Sequence, residues 1–306
     1  MRVFITGAIG FVGGWLLSEL ARGGHTVVSA PGPQELDIAD RDGLARWLSQ
    51  TGGPPDAVVH LAGMAFAPDA KSDPAEAFRV NVGGTVALFE ALRLVGIKPA
   101  VLVTGSSDVY GQPKAADLPL NENAPIAPAH AYGMSKIAQE ASAIEAAVRH
   151  GFPVVVTRSF NHVGPGQRPV FVVPAMARRV IAMQRGERNY IPAGNVDVRR
   201  DLTDVRDVVR AYRLLLERTA QDPAPQPRVV NVASGKAVTV RFIIDQLCEI
   251  VGLTPRIQVD QSLVRDDDPV EIRGDASLLR ELTGWRPEIP LRTTLIDVLA
   301  EAAKTV

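Results

Sequence analysis

The sequence predicts an α/β fold in which helices cover both faces of a parallel sheet. Short β-branched runs alternate with longer helical patterns through the first half of the chain, and several runs, such as residues 101–103, are apolar throughout. Such runs are typical of strands buried on both faces. Strand–helix alternation favours parallel strands joined by right-handed crossovers. We therefore expect a doubly wound sheet.

Six strands are predicted from these runs, and helices fill the intervals between them. The strands span residues 3–6, 26–29, 57–61, 101–104, 154–158 and 229–232. The helices span residues 10–22, 41–50, 75–95, 131–149 and 205–218.

The pattern changes after Phe160. Helical patterns are separated there by connections rich in Pro, Gly and Asp, and they span residues 173–185, 240–251, 275–282 and 291–304. This predicts a smaller, mainly helical lobe that covers the carboxyl ends of the sheet. Residues 222–227, with three prolines, are predicted to form a surface loop before the last strand returns.

Composition excludes several functional classes. The chain has 306 residues, is 46% hydrophobic and carries a formal net charge of −1, so it shows no electrostatic footprint for nucleic acid or an anionic membrane. Its one cysteine, Cys248, lies in an apolar helical stretch and is interpreted as a small buried hydrophobe. Glycines and then Glu19 interrupt the apolar N-terminal run before it is long enough to span a bilayer. We expect a cytoplasmic protein without a membrane or nucleic-acid partner.

A glycine-spaced turn directly after the first strand predicts a phosphate-binding loop. Its sequence is Gly7-Ala-Ile-Gly10-Phe11-Val12-Gly13, and it opens a helix. Gly7 makes the tight turn, Gly10 lets the backbone approach a pyrophosphate, and Gly13 lets the helix pack on the sheet. The helix N-terminus offers free N–H groups and a positive dipole end. We interpret Gly7, Gly10, Phe11, Val12 and Gly13 as contacts to a dinucleotide.

The sequence leaves the choice between NADP(H) and NAD(H) open. The residue that ends the second strand is often acidic in NAD-binding proteins, and an arginine nearby favours NADP. The segment Ser29-Ala-Pro-Gly32 has neither. Asp37 and Ile38 follow a short loop, and we predict that they reach the adenine; a cap or turn residue is the alternative for Asp37.

Tyr132 and Lys136 form the candidate proton-transfer pair. Residues four apart share one face of a helix, so the phenol and the ammonium can point at one target. A nearby ammonium favours the phenolate and is expected to lower the pKa of Tyr132, which suits a general acid or base. Ser106 leaves the fourth strand at the carboxyl edge of the sheet, where it can hydrogen-bond the same substrate oxygen.

Six motifs, in this order, resemble the extended short-chain dehydrogenase/reductase family of sugar-nucleotide epimerases, dehydratases and reductases. They are Gly7-x-x-Gly10-x-x-Gly13, His60-Leu-Ala-Gly63, Asn81-Val-Gly-Gly-Thr85, Ser106 with Val-Tyr-Gly, Tyr132-x-x-x-Lys136 and Arg158-x-x-Asn161-x-x-Gly164-Pro165-Gly166. The resemblance covers essentially the whole chain. It implies a Rossmann dinucleotide-binding domain, residues 1–160 plus about 201–232, and a sugar-nucleotide-binding lobe, about 161–200 plus 233–306.

The resemblance also implies roles for single residues. Tyr132 is then the acid or base, Lys136 binds the nicotinamide ribose and holds the tyrosine pKa down, and Ser106 orients the reacting sugar oxygen. The residues implied to line the cofactor are Leu61, Ala62, Gly63 and, beside the nicotinamide, Val163. Asn161 resembles a substrate contact, with a loop-turn residue as the alternative. No metal site is implied.

The type of reaction is narrowed by Ser107 and Asp108. Family members that dehydrate the sugar at C5–C6 carry an Asp-Glu pair directly after the catalytic Ser or Thr, and this chain has a serine in place of the aspartate. The missing carboxylate counts against a dehydratase, although Asp108 remains a candidate base. A reductase and an epimerase both need Ser106, Tyr132 and Lys136, so these three residues do not separate them.

Later segments resemble the GDP-4-keto-6-deoxy-D-mannose reductases, which reduce a C4 ketone to give GDP-D-rhamnose. These segments are residues 158–167, 200–207 and 231–235. The first is shared with GDP-mannose 4,6-dehydratases and so points to a GDP-linked sugar more than to one reaction. The alternatives that stay open are a 4-epimerase with tightly held NAD, a 4,6-dehydratase and a non-catalytic protein that senses the cofactor.

This resemblance also implies contacts to the nucleotide. Guanidinium groups suit phosphate oxygens, so Arg200 and Arg265 are expected at the diphosphate. Where these reductases have a ribose-binding glutamate, this chain has Asp268, whose side chain is one methylene shorter. The remaining expected substrate contacts are Ser107 and Val173. A salt bridge to Asp201 or Asp204 is the alternative for Arg200, and a solvated acidic loop is the alternative for 266–268.

The resemblance implies a homodimer as well. Family members commonly dimerise through a four-helix bundle, and the helices at 75–95 and 131–149 carry apolar faces that are able to pair across a twofold axis. The alternative is that both faces pack on the sheet of their own chain.

Overall fold

Strands alternate with helices along the chain in the computed structural model, which describes residues 1–222, 226–264 and 268–305. In chain order the elements are β1 (Arg2–Thr6), α1 (Phe11–Arg22), β2 (Thr26–Ser29), α2 (Arg41–Ser49), β3 (Ala57–His60), α3 (Ala67–Ser72), α4 (Pro74–Phe78), α5 (Gly84–Leu94), β4 (Ala100–Thr104), α6 (Ala131–His150), β5 (Val154–Ser159), β6 (Asn161–Val163), α7 (Val172–Gln184), β7 (Ile191–Ala193), β8 (Arg199–Asp204), α8 (Val205–Ala220), β9 (Arg228–Val232), β10 (Ala237–Thr239), α9 (Val240–Ile250), β11 (Ile257–Val259), β12 (Glu271–Ile272), α10 (Ser277–Thr283) and α11 (Leu291–Thr305).

The central sheet has six parallel strands in the order β2-β1-β3-β4-β5-β9. These are the six strands that the sequence predicts, so the doubly wound fold is confirmed. From β1 the chain adds β2 on one side and then returns to add β3 on the other. The strand order therefore reverses between β1 and β3, and their carboxyl ends flank the crevice where such sheets bind ligands.

Helices cover both faces of this sheet. On one face α1, α8 and α10 bury residues such as Leu16, Val209 and Leu279 against the strands. On the other face α2, α5 and α6 bury Leu44, Leu88 and their neighbours. Burial of each apolar side chain contributes about 1.5–3 kcal/mol, and the two clusters hold the strand ends in fixed positions.

A third apolar cluster joins α7, α9 and α11 and contains Val180, Ile244 and Leu299. The sequence predicts a mainly helical lobe here, and the structure adds short strands: β8 pairs with β6, β10 and β12, and β7 pairs with β11. Of these, β6, β7, β10, β11 and β12 have only two or three residues, which is too short to show a period of two. The division of the chain into two domains stays a prediction, and residues 223–225 of the predicted loop lie outside the described residues.

The predicted helix at 75–95 is three elements. After α4, a π-helical turn spans Arg79–Gly83 and leads into α5. Asn81, fully buried in this turn, accepts a hydrogen bond from Met64 N at 2.8 Å and donates one to Ser135 Oγ at 2.9 Å. The turn therefore ties the segment after β3 to α6, and π-turns of this kind are frequent at functional sites.

Neither a membrane-spanning helix nor a metal-binding cluster is found within residues 1–222, 226–264 and 268–305. Within those ranges, no helix is both long and apolar enough to cross a bilayer. The same part of the chain contains no group of three His, Cys, Asp or Glu side chains able to hold a metal ion. Cys248 is fully buried in the cluster around α9, and burial raises the pKa of its thiol to about 11. This agrees with its interpretation as a small hydrophobe.

Candidate active site

The glycine loop lies against the segment that follows β3. Gly7 has φ +75°, and a Cβ on it would lie 2.6 Å from Ala62 N. A Cβ on Gly13 would lie 2.3 Å from the Ala8 carbonyl oxygen. Since real Cβ atoms do not approach backbone so closely, both positions require glycine, as the tight turn and the close helix packing predict.

The N-terminus of α1 is shaped for a pyrophosphate. Gly10 precedes the helix and has no side chain with which to cap it, and the first turn contains no acidic residue. The N–H groups of Phe11 and Val12 therefore have no partner within their own helix. Such groups, with the helix dipole behind them, suit a phosphate anion. The residues present fit a dinucleotide.

Leu61, Ala62 and Gly63 continue from β3 beside this loop. Ala62 N donates to Thr6 Oγ1 at 3.3 Å, and Leu61 N donates to the Thr6 carbonyl at 3.1 Å. A Cβ on Gly63 would lie 2.8 Å from Asn81 Oδ1. The predicted cofactor-lining segment is thus placed at the carboxyl edge between β1 and β3.

A second segment meets the glycine loop from the β6 side. Phe11 stacks on His162 with ring centroids 6.1 Å apart, and Trp15 Nε1 donates to the Pro165 carbonyl at 3.0 Å. Val163, predicted to lie beside the nicotinamide, follows His162 in β6, and its side chain is buried. The structure therefore brings the two predicted cofactor segments together.

Ser106 and Tyr132 are positioned by a turn packed on a helix. A 3-10 turn, Ser107–Tyr110, follows Ser106, whose Oγ accepts from Asp108 N at 3.1 Å. The first turn of α6 carries Tyr132 and packs on this 3-10 turn at Gly133, where a Cβ would lie 2.7 Å from the Asp108 carbonyl oxygen. The two side chains are nearly buried, and the serine hydroxyl lies in hydrogen-bonding range of the phenol.

The pKa of Tyr132 is raised in the polypeptide, whereas the sequence predicts that it is lowered. Burial of the phenol is the largest cause, the carboxylate of Asp108 adds to it, and the hydrogen bond with Ser106 acts in the opposite direction. The prediction is wrong for the chain by itself because burial of the phenol and the Asp108 carboxylate outweigh the hydrogen bond with Ser106. Tyr132 keeps its proton at neutral pH.

Lys136 donates hydrogen bonds to the Thr104 carbonyl oxygen at 2.6 Å and to Gln139 Oε1. Its side chain is 5% exposed, and burial lowers the pKa of the ammonium to about 7. Gln139 Nε2 in turn donates to Thr85 Oγ1 at 3.0 Å. The predicted ribose-binding lysine is therefore anchored by two oxygens of its own chain.

A buried polar chain continues from Gln139 to β1. His60 Nε2 lies 2.9 Å from Thr85 Oγ1, and His60 Nδ1 lies 2.7 Å from Thr6 Oγ1. The Thr85 hydroxyl donates its one hydrogen to the Asn81 carbonyl oxygen, so His60 Nε2 must be the donor to Thr85 Oγ1. Burial lowers the pKa of His60 to about 3, with Lys136 as the smaller cause, so the imidazole is neutral.

His130 also lies at the site, beside Tyr132 and Asp108, where the sequence does not predict it. It caps the N-terminus of α6, where Nδ1 accepts from Gly133 N at 3.2 Å, and its ring stacks on Tyr132 with centroids 6.2 Å apart. Nε2 therefore carries the hydrogen and faces Asp108 Oδ2 at 3.5 Å. The sequence contains one signal for this role: His130 directly precedes the predicted helix at 131–149, which is a capping position.

Asp37 and Ile38, predicted at the adenine, have other partners in the structure. Asp37 accepts from Ala39 N at 3.0 Å and pairs with Arg79 at 2.8 Å, and these bonds lower the pKa of its carboxyl. Ile38 packs against Gly84 at the start of α5. The turn alternative for Asp37 is thus observed, while the adenine contact of both residues stays a prediction.

The predicted substrate residues lie in different surroundings. Ser107 is buried beside Ser106, and Asn161 is exposed at the start of β6. Val173 has its side chain in the apolar cluster of α7, so a contact to substrate would come from its backbone N–H in the first helical turn. These three contacts stay predictions.

Arg200 and Asp268 are brought together as an ion pair at 2.9 Å. The predicted alternatives for Arg200, salt bridges to Asp201 or Asp204, are wrong because both of those carboxylates have other partners. Asp201 accepts from the backbone N–H groups of Ser234, Gly235 and Gly274, and Asp204 pairs with Arg206. Arg265 lies outside the described residues.

Comparison with known proteins gives consistent matches along the chain. Residues 3–233 match the family model described as NAD dependent epimerase/dehydratase family. GDP-6-deoxy-D-mannose reductase of Pseudomonas aeruginosa is 36% identical over 98% of this chain and 96% of its own length. UDP-glucose 4-epimerase of Lacticaseibacillus casei is 26% identical over 94% of this chain and 92% of its own length.

Solved structures agree with these matches. RMD from Pseudomonas aeruginosa complexed with NADPH has a TM-score of 0.89 and 35% identity, and the match covers 100% of this chain and 99% of that one. The matched family model covers the central sheet, the glycine loop and the segment that carries Ser106, Tyr132 and Lys136. The chain therefore belongs to the NAD dependent epimerase/dehydratase family, the extended short-chain dehydrogenase/reductases, and is an NAD(P)-dependent enzyme of the branch that modifies nucleotide sugars.

Proposed function

We propose that the chain reduces the C4 ketone of a nucleotide-linked 4-keto-6-deoxy sugar, converting GDP-4-keto-6-deoxy-D-mannose to GDP-D-rhamnose. Support comes from the similarity to a GDP-6-deoxy-D-mannose reductase over nearly the full length of both chains. It comes also from the grouping of Ser106, Tyr132 and Lys136 at the carboxyl end of β4, in the same sheet whose β1 leads into the glycine loop.

The proposed proton donor is Tyr132. Burial raises the pKa of its phenol, so the proton stays on the oxygen at neutral pH, which is the form a general acid requires. The Ser106 hydroxyl hydrogen-bonds the same sugar oxygen, and the Lys136 ammonium stabilises the tyrosinate that remains. Reduced nicotinamide, when bound, supplies the hydride.

Ser107 is the observation that carries the proposal. It is 4% exposed, directly follows Ser106 and stands where 4,6-dehydratases have an aspartate. Dehydration needs one group that protonates the leaving hydroxyl at C6 and another that removes the proton from C5. A serine hydroxyl does not ionise near neutral pH, whereas ketone reduction needs a hydride and one proton, which Tyr132 provides.

The test is a direct assay of the purified chain. It is incubated with NADH or NADPH and a panel of 4-keto-6-deoxy sugar nucleotides, and the nicotinamide absorbance is followed. We expect oxidation of the cofactor with the GDP-linked ketone and a GDP-6-deoxyhexose product. Turnover with a different nucleotide and none with GDP would overturn the substrate assignment.

A 4-epimerase with tightly held NAD is the second candidate, because UDP-glucose 4-epimerases are among the relatives that match nearly the whole chain. An epimerase returns the hydride to the same sugar and consumes no cofactor. Oxidised cofactor that stays with the protein through purification, with conversion of a sugar nucleotide in the absence of added NAD(P)H, would favour this candidate over the reductase.

Two further candidates have less support. A 4,6-dehydratase would use Asp108 as its base, and a keto sugar product from GDP-mannose would reveal it. A protein that only senses the cofactor has no need for the proton-transfer residues Ser106, Tyr132 and Lys136. Titrating cofactor with and without sugar nucleotides separates a sensor from an enzyme.

We also propose that two copies associate through α5 and α6. Each helix exposes large apolar side chains, and the most exposed are Val86, Leu94, Met134 and Val148 at 47%, 49%, 48% and 73%. Pairing these faces across a twofold axis would remove them from water. Sedimentation should give a dimer that Val86→Asp converts to monomer, and a monomeric parent chain would contradict the proposal.

A further inference from the structure

We propose that Glu35 selects NAD(H) over NADP(H) by binding the hydroxyl groups of the adenosine ribose and repelling a 2′-phosphate. The proposal concerns the cofactor site alone. It therefore holds whether the sugar reaction is a reduction or an epimerisation, and it is tested without any sugar.

The position of Glu35 is set by a tight turn after β2. Gly32 N donates to Glu35 Oε2 at 2.8 Å, and the N–H groups of Glu35 and Leu36 both donate to the Gly32 carbonyl at 3.0 Å. The turn carries the carboxylate back toward the end of the strand, although Glu35 lies 6 residues beyond Ser29 (35 − 29). Its side chain is exposed, so its second oxygen is accessible to a ligand.

The carboxylate also lies near the glycine loop. A Cβ built on Gly32 would be 3.5 Å from Glu35 Oε2 and 3.5 Å from Ile9 Cδ1. Ile9, which is 70% exposed, precedes Gly10 in the loop that fits the pyrophosphate. The Glu35 carboxylate and Ile9 of the glycine loop therefore both lie beside Gly32.

In this fold the adenosine ribose lies at that region. An acidic residue about 20 residues beyond the glycine loop accepts a hydrogen bond from the ribose 2′-hydroxyl in NAD-binding proteins. Glu35 lies 22 residues beyond Gly13 (35 − 13). The end of β2 has no acidic residue, and the turn at Gly32 supplies one from farther along the chain.

Charge around the turn favours a neutral hydroxyl over a phosphate. The segments 30–46 and 76–79 contain five carboxylates, Glu35, Asp37, Asp40, Asp42 and Glu76, against three guanidiniums, Arg41, Arg46 and Arg79. Each of the three guanidiniums is paired with a carboxylate of the same segments. A 2′-phosphate would therefore meet excess negative charge, whereas a 2′-hydroxyl donates readily to a carboxylate.

A preference for NAD(H) would distinguish this chain from its relative that was solved with NADPH. That relative is 35% identical, which leaves ample room for a different residue at one specificity position. The glycine loop binds the pyrophosphate that both cofactors share, so a change at the ribose alters preference without altering the rest of the site.

The experiment is a titration of the full chain with NADH and with NADPH, followed by nicotinamide fluorescence and with no sugar present. We expect the parent chain to bind NADH at least about tenfold tighter, the ratio given by roughly one charge-assisted hydrogen bond. Glu35→Gln should reduce that ratio to near unity, and Glu35→Arg should reverse it.

Asp42→Asn is the matched control, because it removes the same unit of charge from a neighbouring exposed carboxylate. It should change the ratio far less than Glu35→Gln does, because the exposed Asp42 carboxylate is already paired with Arg41 at 2.9 Å and is screened by water and salt. Tighter binding of NADPH by the parent chain would overturn the proposal, as would equal effects of Glu35→Gln and Asp42→Asn. Neither result bears on which sugar the enzyme uses.

Discussion

The Lys136 ammonium donates a hydrogen bond to the side-chain oxygen of Gln139, less than one helical turn further along α6. The same amide donates to Thr85, so its orientation is fixed. Burial lowers the pKa of Lys136 to about 7, and the lysine therefore loses its charge as the pH rises through neutrality. An oxygen held against the ammonium favours the charged form and opposes this loss.

Substitution of Gln139 should move the pH dependence in two directions. Gln139→Met removes the oxygen and should lower the pH at which NADH affinity and turnover decline. Gln139→Glu places a carboxylate there and should raise that pH. The measurement is the pH profile of the cofactor dissociation constant and of turnover, with Glu145→Gln on the exposed side of α6 as the control. Shifts of the same sign in both variants would indicate general damage to the helix instead.

Tyr132→Phe should abolish turnover and leave cofactor binding intact. The phenol is the proposed proton donor, and loss of a general acid typically costs about 10²–10⁴ in rate. The ring that packs beside His130 is retained, so the fold and the cofactor site should be undisturbed. Turnover and the NADH dissociation constant are measured side by side, with Tyr190→Phe at an exposed position as the control. A variant with near-native turnover would refute the assignment of Tyr132.

The sequence predicts the six central strands and the glycine loop because local patterns specify them. Apolar runs indicate strands that are buried on both faces. Gly7 and Gly13 indicate places where the backbone approaches too closely for any side chain. The strand β8 escapes prediction because four of its residues are polar or charged and yet buried. Their partners are distant in sequence: Asp201, for example, accepts hydrogen bonds from Ser234 and Gly274. No local pattern encodes such pairs.

The candidate site likewise combines features that the local sequence predicts with features that depend on residues distant in sequence. The four-residue spacing of Tyr132 and Lys136 is local, and it places both on α6 as predicted. The direction of the Tyr132 pKa is not local, because it depends on burial and on Asp108, which the 3-10 turn after Ser106 brings close. The Glu35 carboxylate is likewise held at Gly32, beyond the end of β2, by a turn whose hydrogen bonds the strand pattern does not reveal.

Glu140→Gln should destabilise the fold far more than Glu145→Gln does. Glu140 and Arg158 form a buried pair at 2.6 Å, both nearly inaccessible, and Arg158 also donates to the Tyr110 hydroxyl at 3.1 Å. Removing one partner of a buried pair leaves an uncompensated charge and costs about 3–5 kcal/mol. The exposed pair of Glu145 with Arg149 is worth about 0.3–0.5 kcal/mol. Urea unfolding of both variants gives the comparison, and equal losses would contradict it.

Gly133→Ala should reduce turnover by separating the two halves of the active site. Its Cβ would lie 2.7 Å from the Asp108 carbonyl oxygen, so the turn that carries Ser106 must move away from the helix that carries Tyr132. A displacement of about 1 Å at reacting groups costs about 10²-fold in rate. We expect a lower thermal midpoint together with a fall in turnover.

Gly14→Ala on α1 is the matched control for that substitution. Both glycines lie in the first turns of helices, but a Cβ on Gly14 meets no atom within 4 Å. Since alanine is the better helix former by about 0.8–1 kcal/mol, Gly14→Ala should raise the thermal midpoint slightly and leave turnover unchanged. If Gly133→Ala behaved in the same way, the close approach of the Ser106 turn to α6 would not be a requirement of catalysis.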